Sequence, residues 1–188
     1  MSDLFDNADL PSGPPSGAGL ACRPLADRLR PKTMSDVVGQ SQLLGPEAPL
    51  SVMLSSGQLS SLIFWGPPGV GKTTMARLLA RETDLHFVQI SAIFTGVAEL
   101  KKVFEAARIR HQNGYGTLLF VDEVHRFNKA QQDGFLPHME DGTILLVGAT
   151  TENPSFELNA AILSRAQVLV LERLTLADLE LLCQRAEK

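Results

Sequence analysis

The chain has 188 residues, of which 44% are hydrophobic and 20% are charged, as in an ordinary soluble globular domain. Its formal net charge of −4 argues against a surface coated with basic residues for nucleic acid, although a local patch could still contact DNA. No apolar run approaches the ~20 residues that a membrane-spanning helix needs, and the N-terminus lacks the features of a secretory signal. The two cysteines, Cys22 and Cys183, lie far apart, which is typical of reduced thiols in a cytoplasmic protein.

The first segment of the chain, residues 1–23, is predicted to be a disordered tail. It is rich in Ser, Gly, Pro and Asp, and its stretch PSGPPSG cannot form regular secondary structure. We expect a folded core to follow over residues 24–174.

From Leu62 onwards, short β-rich runs alternate with helical stretches. Apolar runs predict strands at 62–65, 86–90, 117–122, 144–150 and 168–171. Helical spacing predicts helices over 72–81 and 97–111, the second with an apolar face made of Val97, Leu100, Phe104 and Ala107. Strands that are apolar on both faces indicate a parallel sheet covered by helices on both sides, and the alternation of strand and helix indicates the same α/β architecture.

The final segment, residues 175–188, predicts a helix that begins after Thr175. An apolar stripe runs along it through Leu176, Leu179, Leu182 and Cys183, and this stripe needs a partner. Either the helix packs back on the same domain, or it begins a second domain. We favour the second alternative.

A phosphate-binding loop is predicted between the first strand and the helix after it. The sequence GPPGVGKTT matches the pattern G-x-x-x-x-G-K-[ST]. Glycines let successive N–H groups point at a phosphate, and the positive end of the following helix adds to the attraction. The residues expected to hold ATP or ADP are Gly66, Pro67, Pro68, Gly69, Val70, Gly71, Lys72, Thr73 and Thr74.

Two acids follow the third strand, at the edge of an α/β sheet where ligands bind. We assign Asp122 to the Mg²⁺ site together with the hydroxyl of Thr73, and Glu123 to the attacking water. Lys72 is expected to reach the β- and γ-phosphates. Adjacent acids are a weak signal alone, but their pairing with the phosphate loop makes hydrolysis of a nucleotide the expected chemistry.

Three further residues are candidates for contact with the γ-phosphate. Thr150 and Thr151 follow the fourth strand and lie beside the phosphate site if that strand pairs with the third. The alternative is an ordinary Thr-rich strand exit. Arg165 follows a short helical stretch and can neutralise charge on a transferred phosphoryl group, unless it is simply a surface arginine.

These motifs carry a family resemblance. GPPGVGKTT, LLFVDEVHRFNKAQQDGFLPHMEDG and GATTENPSFELNAAILSRA follow one another in this order and closely resemble the replication-associated recombination protein A (RarA) family of AAA+ ATPases. RPLADRLRPKTMSDVVGQ resembles the entry segment of that family. The stretches DEVHRFNK, QQDGFLPH and TTENPSFELN distinguish it from the clamp loaders and from the Holliday-junction branch-migration motor.

The resemblance implies an AAA+ core with five parallel strands in the order 5-1-4-3-2, an oligomeric ring, and a helical lid of which residues 175–188 are only the beginning. It makes Lys72 and Thr73 the Walker A pair, and Asp122 and Glu123 the Walker B pair. Thr151 becomes the sensor of the fourth strand, and Arg165 becomes an arginine finger that acts on a neighbouring subunit. The residues implied to lie against adenine are Val37, Val38 and Gly39.

The family also implies DNA-stimulated ATP hydrolysis at stalled or damaged replication forks, with DNA and single-strand binding protein as partners. An alternative is a nucleotide-gated scaffold with slow hydrolysis, although the predicted water-activating role of Glu123 favours an enzyme. Two basic clusters are candidates for DNA contact. One consists of Lys101, Lys102, Arg108, Arg110 and His111, and the other of His125, Arg126 and Lys129. We favour Arg126 and Lys129 because they follow the catalytic acids directly.

Overall fold

The computed structural model of the chain describes residues 29–187. The predicted disordered tail lies outside these residues. Pro31 begins a compact unit that contains every strand and helix of the described range. Within that range no helix is both long and apolar enough to cross a membrane.

Five parallel strands form one sheet in the described part of the chain. In chain order they are β1 (Ser61–Trp65), β2 (His86–Ser91), β3 (Thr117–Asp122), β4 (Leu145–Thr150) and β5 (Ala166–Val170). Their spatial order is β2-β3-β4-β1-β5, so the predicted order 5-1-4-3-2 is confirmed. The order places β1 between β4 and β5, and β4 between β1 and β3.

Helices and turns connect these strands. The helices of the described range are α1 (Ser41–Leu44), α2 (Pro49–Ser56), α3 (Lys72–Glu82), α4 (Val97–Gln112), α5 (Lys129–Asp133), α6 (Leu136–Glu140), α7 (Pro154–Glu157), α8 (Ala160–Leu163) and α9 (Leu176–Ala186). Single 3₁₀ turns are formed by Met34–Asp36 and Val124–Arg126. The two long predicted helices therefore correspond to α3 and α4, each extending one residue beyond its expected end.

The side chains of β3 alternate between two hydrophobic clusters, because successive residues of a strand point to opposite faces. Leu118 and Phe120 share one cluster with Leu79 of α3. Leu119 shares the other with Phe104 of α4. The prediction of a parallel sheet covered on both faces is thereby confirmed for its central strands.

The edge strand β5 departs from the expected pattern. Leu169 is buried in the cluster that contains α3, whereas Val168 and Val170, on the opposite face, are 37% and 46% exposed. The expectation of a run buried on both faces is therefore wrong here, because β5 lies at the edge of the sheet. Val97 is also exposed, contrary to the predicted apolar face of α4, since it lies in the first turn of the helix.

The terminal helix α9 begins with the predicted cap. The Thr175 hydroxyl accepts a hydrogen bond from the Asp178 N–H, and the Asp178 carboxylate accepts bonds from the N–H and hydroxyl of Thr175. The apolar stripe is not covered by the described residues along its whole length. Leu176 is 74% exposed and Leu179 is 46% exposed.

Candidate active site

The loop between β1 and α3 has the shape that its glycines predict. Gly69 and Gly71 adopt φ angles of 82° and 99°, in the region that side chains with a Cβ disfavour. A Cβ on Gly66 would collide with the carbonyl oxygen of Leu171. The Gly66 N–H donates to the Thr150 carbonyl over 3.2 Å, so the start of the loop is joined to the end of β4.

The side chain of Lys72 lies within this loop. Lys72 is the first residue of α3 and is buried, and its ammonium donates to the carbonyl oxygens of Gly66 at 2.6 Å and Pro67 at 2.8 Å. Burial lowers the pKa of Lys72, and the charges of Glu123 and Asp122 oppose that shift. The loop therefore holds a partly desolvated cation within electrostatic range of both acids.

The two acids stand where β3 ends. Asp122 is the last residue of the strand, and Glu123 follows with a φ of 53°, which is uncommon for a residue other than glycine. This left-handed turn changes the chain direction and starts the 3₁₀ turn that follows. Because the strands are parallel, the acids that follow β3 and the phosphate loop that follows β1 lie at the same end of the sheet. Only β4 stands between these two strands.

A buried histidine connects Glu123 to β4. His125 Nε2 lies 3.4 Å from Glu123 Oε2, and His125 Nδ1 lies 2.9 Å from Thr150 Oγ1. Thr150 is completely buried, whereas its neighbour Thr151 is half-buried. The structure thus connects Thr150 to Glu123 through His125. The expected sensor role of Thr151 stays a prediction.

The segment expected to contact adenine packs against the chain that leads into α9. Val38 is buried and Val37 packs against the core, so their side chains are largely engaged within the protein. Gly39 has a φ of 72°, and a Cβ there would come within 2.8 Å of Leu174 Cδ2. The following residue, Gln40, donates to the Glu172 carbonyl at 2.8 Å and accepts from the Glu172 N–H at 3.0 Å.

A cleft of about 260 Å³ lies between the phosphate loop and the start of α9. It is lined by Pro67, Pro68, Gly69, Val70, Arg173, Leu174 and Leu179. Neither Arg173 nor Leu174 was predicted as a site residue from the sequence. A signal was available, because residues that follow a strand paired with β1 must lie beside the phosphate loop.

Arg165 lies away from this cleft. Arg165 immediately precedes β5, at the amino end of the parallel sheet, whereas the phosphate loop follows the carboxyl end of β1. The length of a five-residue strand, roughly 16 Å, separates these two ends of the sheet. Its guanidinium pairs with Glu140 Oε1 at 2.6 Å and donates to the Ala161 carbonyl at 2.9 Å. The structure therefore does not bring Arg165 to the phosphate loop of its own chain.

The basic residues suggested for DNA contact are mostly at the surface. Arg126 and Lys129 are exposed, one ending the 3₁₀ turn after Glu123 and the other starting α5. His125 of the same cluster is instead directed inward to Glu123 and Thr150. In the α4 cluster, Arg108 pairs with Glu105 at 2.9 Å.

A parallel sheet with a glycine loop, a buried lysine and two acids at one edge defines a P-loop nucleotide-binding protein. The profile of the ATPase family associated with various cellular activities (AAA) matches residues 62–174, so the chain belongs to that family.

Individual relatives confirm the resemblance of the motifs to the RarA family. The chain is 53% identical over 158 residues to replication-associated recombination protein A of Escherichia coli K12, and 56% identical over 156 residues to that of Coxiella burnetii. These alignments cover 84% and 83% of the chain. The chain spans 35% of the length of each of these relatives.

More distant proteins share the same core. The chain is 47% identical over 162 residues to ATPase WRNIP1 of Dictyostelium discoideum, covering 86% of the chain and 18% of that relative. Among solved structures it is similar to the RuvB Holliday junction branch migration motor of Thermotoga maritima. That similarity has a TM-score of 0.67 and 30% identity, and it covers 84% of the chain and 53% of the motor.

The paired hydrogen bonds of Gln40 generate a prediction. Replacing Gln40 by Ala leaves the N–H and carbonyl of Glu172 without these partners, and we expect it to lower the free energy of unfolding by about 1–3 kcal/mol. The change should also weaken nucleotide binding, because Gln40 holds the entry segment against the cleft. Urea denaturation and titration with a fluorescent ADP analogue measure the two effects.

The control is Gln58→Ala, at an exposed glutamine in the loop between α2 and β1. It should change the free energy of unfolding by about 0.5 kcal/mol or less. Equal effects of the two substitutions would contradict the role assigned to Gln40.

Proposed function

We propose that this chain is the Mg-dependent ATP-hydrolysing core of a protein that acts on DNA in replication-associated recombination. The observation that carries the proposal is the buried ammonium of Lys72, held inside the phosphate loop and within electrostatic range of Asp122 and Glu123. The 53% and 56% identity to relatives named for replication-associated recombination supports the proposed role on DNA.

Binding of ATP begins with the phosphate loop. The backbone of residues 66–71 and the N-terminus of α3 attract the phosphates, and the ammonium of Lys72 exchanges its carbonyl partners for phosphate oxygens. The cleft beside Arg173 and Leu174 accepts the nucleoside, and residues 37–39, which reach Leu174 through Gly39, lie against adenine.

The donor set fits Mg²⁺, which prefers oxygen ligands and binds through only one or two protein groups. Thr73, next to Lys72 in the first turn of α3, and Asp122, at the end of β3, supply a hydroxyl and a carboxylate. When bound, Mg²⁺ neutralises charge on the phosphate oxygens. Glu123 then polarises the attacking water as a general base, and Thr151 serves as the sensor at the exit of β4.

Arg165 acts on a second copy of the chain in this proposal. Its place at the amino end of β5 puts it out of reach of its own phosphate loop, so any contact with the γ-phosphate has to come from a neighbouring subunit. The ion pair with Glu140 has to open for that contact. Hydrolysis therefore depends on a homo-oligomer.

The remaining partners in this proposal are those that the family resemblance of the motifs implies. DNA in single-stranded, gapped or forked form stimulates hydrolysis, and single-strand binding protein and other replication factors act with the protein in the cytoplasm. Energy from hydrolysis remodels DNA or protein–DNA complexes. The alternative, a nucleotide-gated scaffold, gives no role to the placement of Glu123 near Lys72.

ATP turnover of the full-length protein tests the enzymatic proposal. Glu123→Gln should lower kcat at least about 100-fold, because the general base is lost, while ATP still binds. Glu99→Gln, on the exposed first turn of α4, is the control and should leave kcat unchanged. Forked or gapped DNA should raise wild-type turnover. Turnover that ignores DNA, with assembly intact in Glu123→Gln, would favour the scaffold instead.

A second prediction concerns the two basic clusters. Joint replacement of Arg126 and Lys129 by Ala should abolish stimulation by DNA while basal hydrolysis persists, because these charges hold phosphates of DNA beside Glu123. The matched control replaces Lys101 and Lys102, which are equally exposed on α4. If basal and DNA-stimulated turnover fall together, or if the control variant behaves in the same way, DNA contact at Arg126 and Lys129 is not what stimulates hydrolysis.

A further inference from the structure

The side chain of His125 is almost completely buried, with 6% of its surface exposed, and it lies between two groups of the site. Its Nε2 faces the Glu123 carboxylate at 3.4 Å, and its Nδ1 faces the Thr150 hydroxyl at 2.9 Å. This position separates His125 from the exposed Arg126 and Lys129, with which the sequence groups it.

Thr150 extends this connection to the phosphate loop. Its hydroxyl contacts His125, while its backbone carbonyl accepts the Gly66 N–H at 3.2 Å. The same hydroxyl accepts from the Glu152 N–H at 3.0 Å, which fixes its position at the exit of β4. An unbroken series of contacts therefore runs from Gly66 through Thr150 and His125 to Glu123.

The Thr150 hydroxyl has one proton and two acceptors within reach, His125 Nδ1 at 2.9 Å and the Glu152 carbonyl at 3.2 Å. When a neutral imidazole accepts that proton at Nδ1, the hydroxyl still accepts the Glu152 N–H. The ring proton then resides on Nε2 and points at the Glu123 carboxylate. In the other neutral tautomer a lone pair of Nε2 would face the carboxylate, which is unfavourable.

Glu123 needs such support. Its backbone has a φ of 53°, and its side chain is 27% exposed, so its own helix or strand does not determine where the carboxylate points. Among the described residues, no hydrogen bond joins the Glu123 side chain to the phosphate loop. The contact with His125 is therefore a main restraint on its direction.

We propose that His125 is a positioning residue that orients the Glu123 carboxylate and, through Thr150, makes that orientation depend on the phosphate loop. This inference rests on the proposed ATP hydrolysis. Movement of Gly66 displaces Thr150, Thr150 displaces the imidazole, and the imidazole redirects the carboxylate. Hydrolysis thereby becomes sensitive to occupancy of the loop, without any direct contact between His125 and the nucleotide.

Steady-state kinetics of the full-length protein provide the test. His125→Ala should lower kcat by about 10-fold to 100-fold, since a small displacement of a catalytic group has effects of that size, while KM for ATP and affinity for a fluorescent ADP analogue stay within about twofold. His125→Asn keeps a polar atom towards Thr150 but loses the one facing Glu123, so it should also lower kcat. The control is His86→Ala, at an exposed histidine that begins β2, and it should leave kcat unchanged.

Substitutions at Thr150 test the connection to β4. Thr150→Val removes the hydroxyl at nearly constant volume and should lower kcat, whereas Thr150→Ser retains the hydroxyl and should preserve most of it. The double variant with His125→Ala should be no slower than His125→Ala alone, because both changes break the same series of contacts. The proposal is overturned if the effects of Thr150→Val and His125→Ala on kcat are fully additive, or if His125→Asn leaves kcat unchanged. A loss of nucleotide affinity in His125→Ala that parallels its loss of kcat would also overturn it.

A crystal structure of His125→Asn separates this inference from the proposed function. We expect the Glu123 carboxylate to move while the phosphate loop keeps its conformation. A carboxylate that stays in place overturns the positioning role, whatever the kinetics. If the wild-type protein hydrolyses no ATP, the proposed function fails, and the position of the carboxylate still decides whether His125 orients it.

Discussion

The parallel pairing of β4 with both β1 and β3 is the constraint on which the site depends. It places the phosphate loop, the exit of β4 and the two acids at successive positions along one edge of the sheet. Groups far apart in sequence, such as Lys72 and Glu123, come within electrostatic range because their strands are separated by only one neighbour. The side chains of β3 pack alternately into hydrophobic clusters on both faces of the sheet.

A second set of contacts closes the site from the side of β5. Gln40 bonds to both polar groups of the Glu172 backbone, and Arg185 near the end of α9 donates to the Asp36 carbonyl at 2.6 Å. The entry segment and the terminal helix thus support each other next to the cleft. The exposed apolar stripe of α9 shows that the described residues do not cover this helix completely. The assignment of α9 to a helical lid stays a prediction.

Much of this was predictable from the sequence because the signals are local. The glycine pattern identifies the phosphate loop, and apolar runs identify the strands. The sheet order followed from family resemblance rather than from periodicity. The exposure of Val168 and Val170 was not predicted, because an apolar stretch of sequence does not show whether its strand is the outermost of the sheet. His125, Gln40 and Arg173 were missed in their present roles, since each role depends on a contact across the fold.

A crystal structure with Mg²⁺ and a non-hydrolysable ATP analogue tests the central claim most directly. The ammonium of Lys72 now donates to the carbonyls of Gly66 and Pro67. The account predicts that it will donate to a phosphate oxygen instead, with Asp122 and Thr73 next to the metal ion and Glu123 facing the γ-phosphate. A nucleotide bound elsewhere, with Lys72 still on both carbonyls, would contradict the assignment of this loop as the phosphate site.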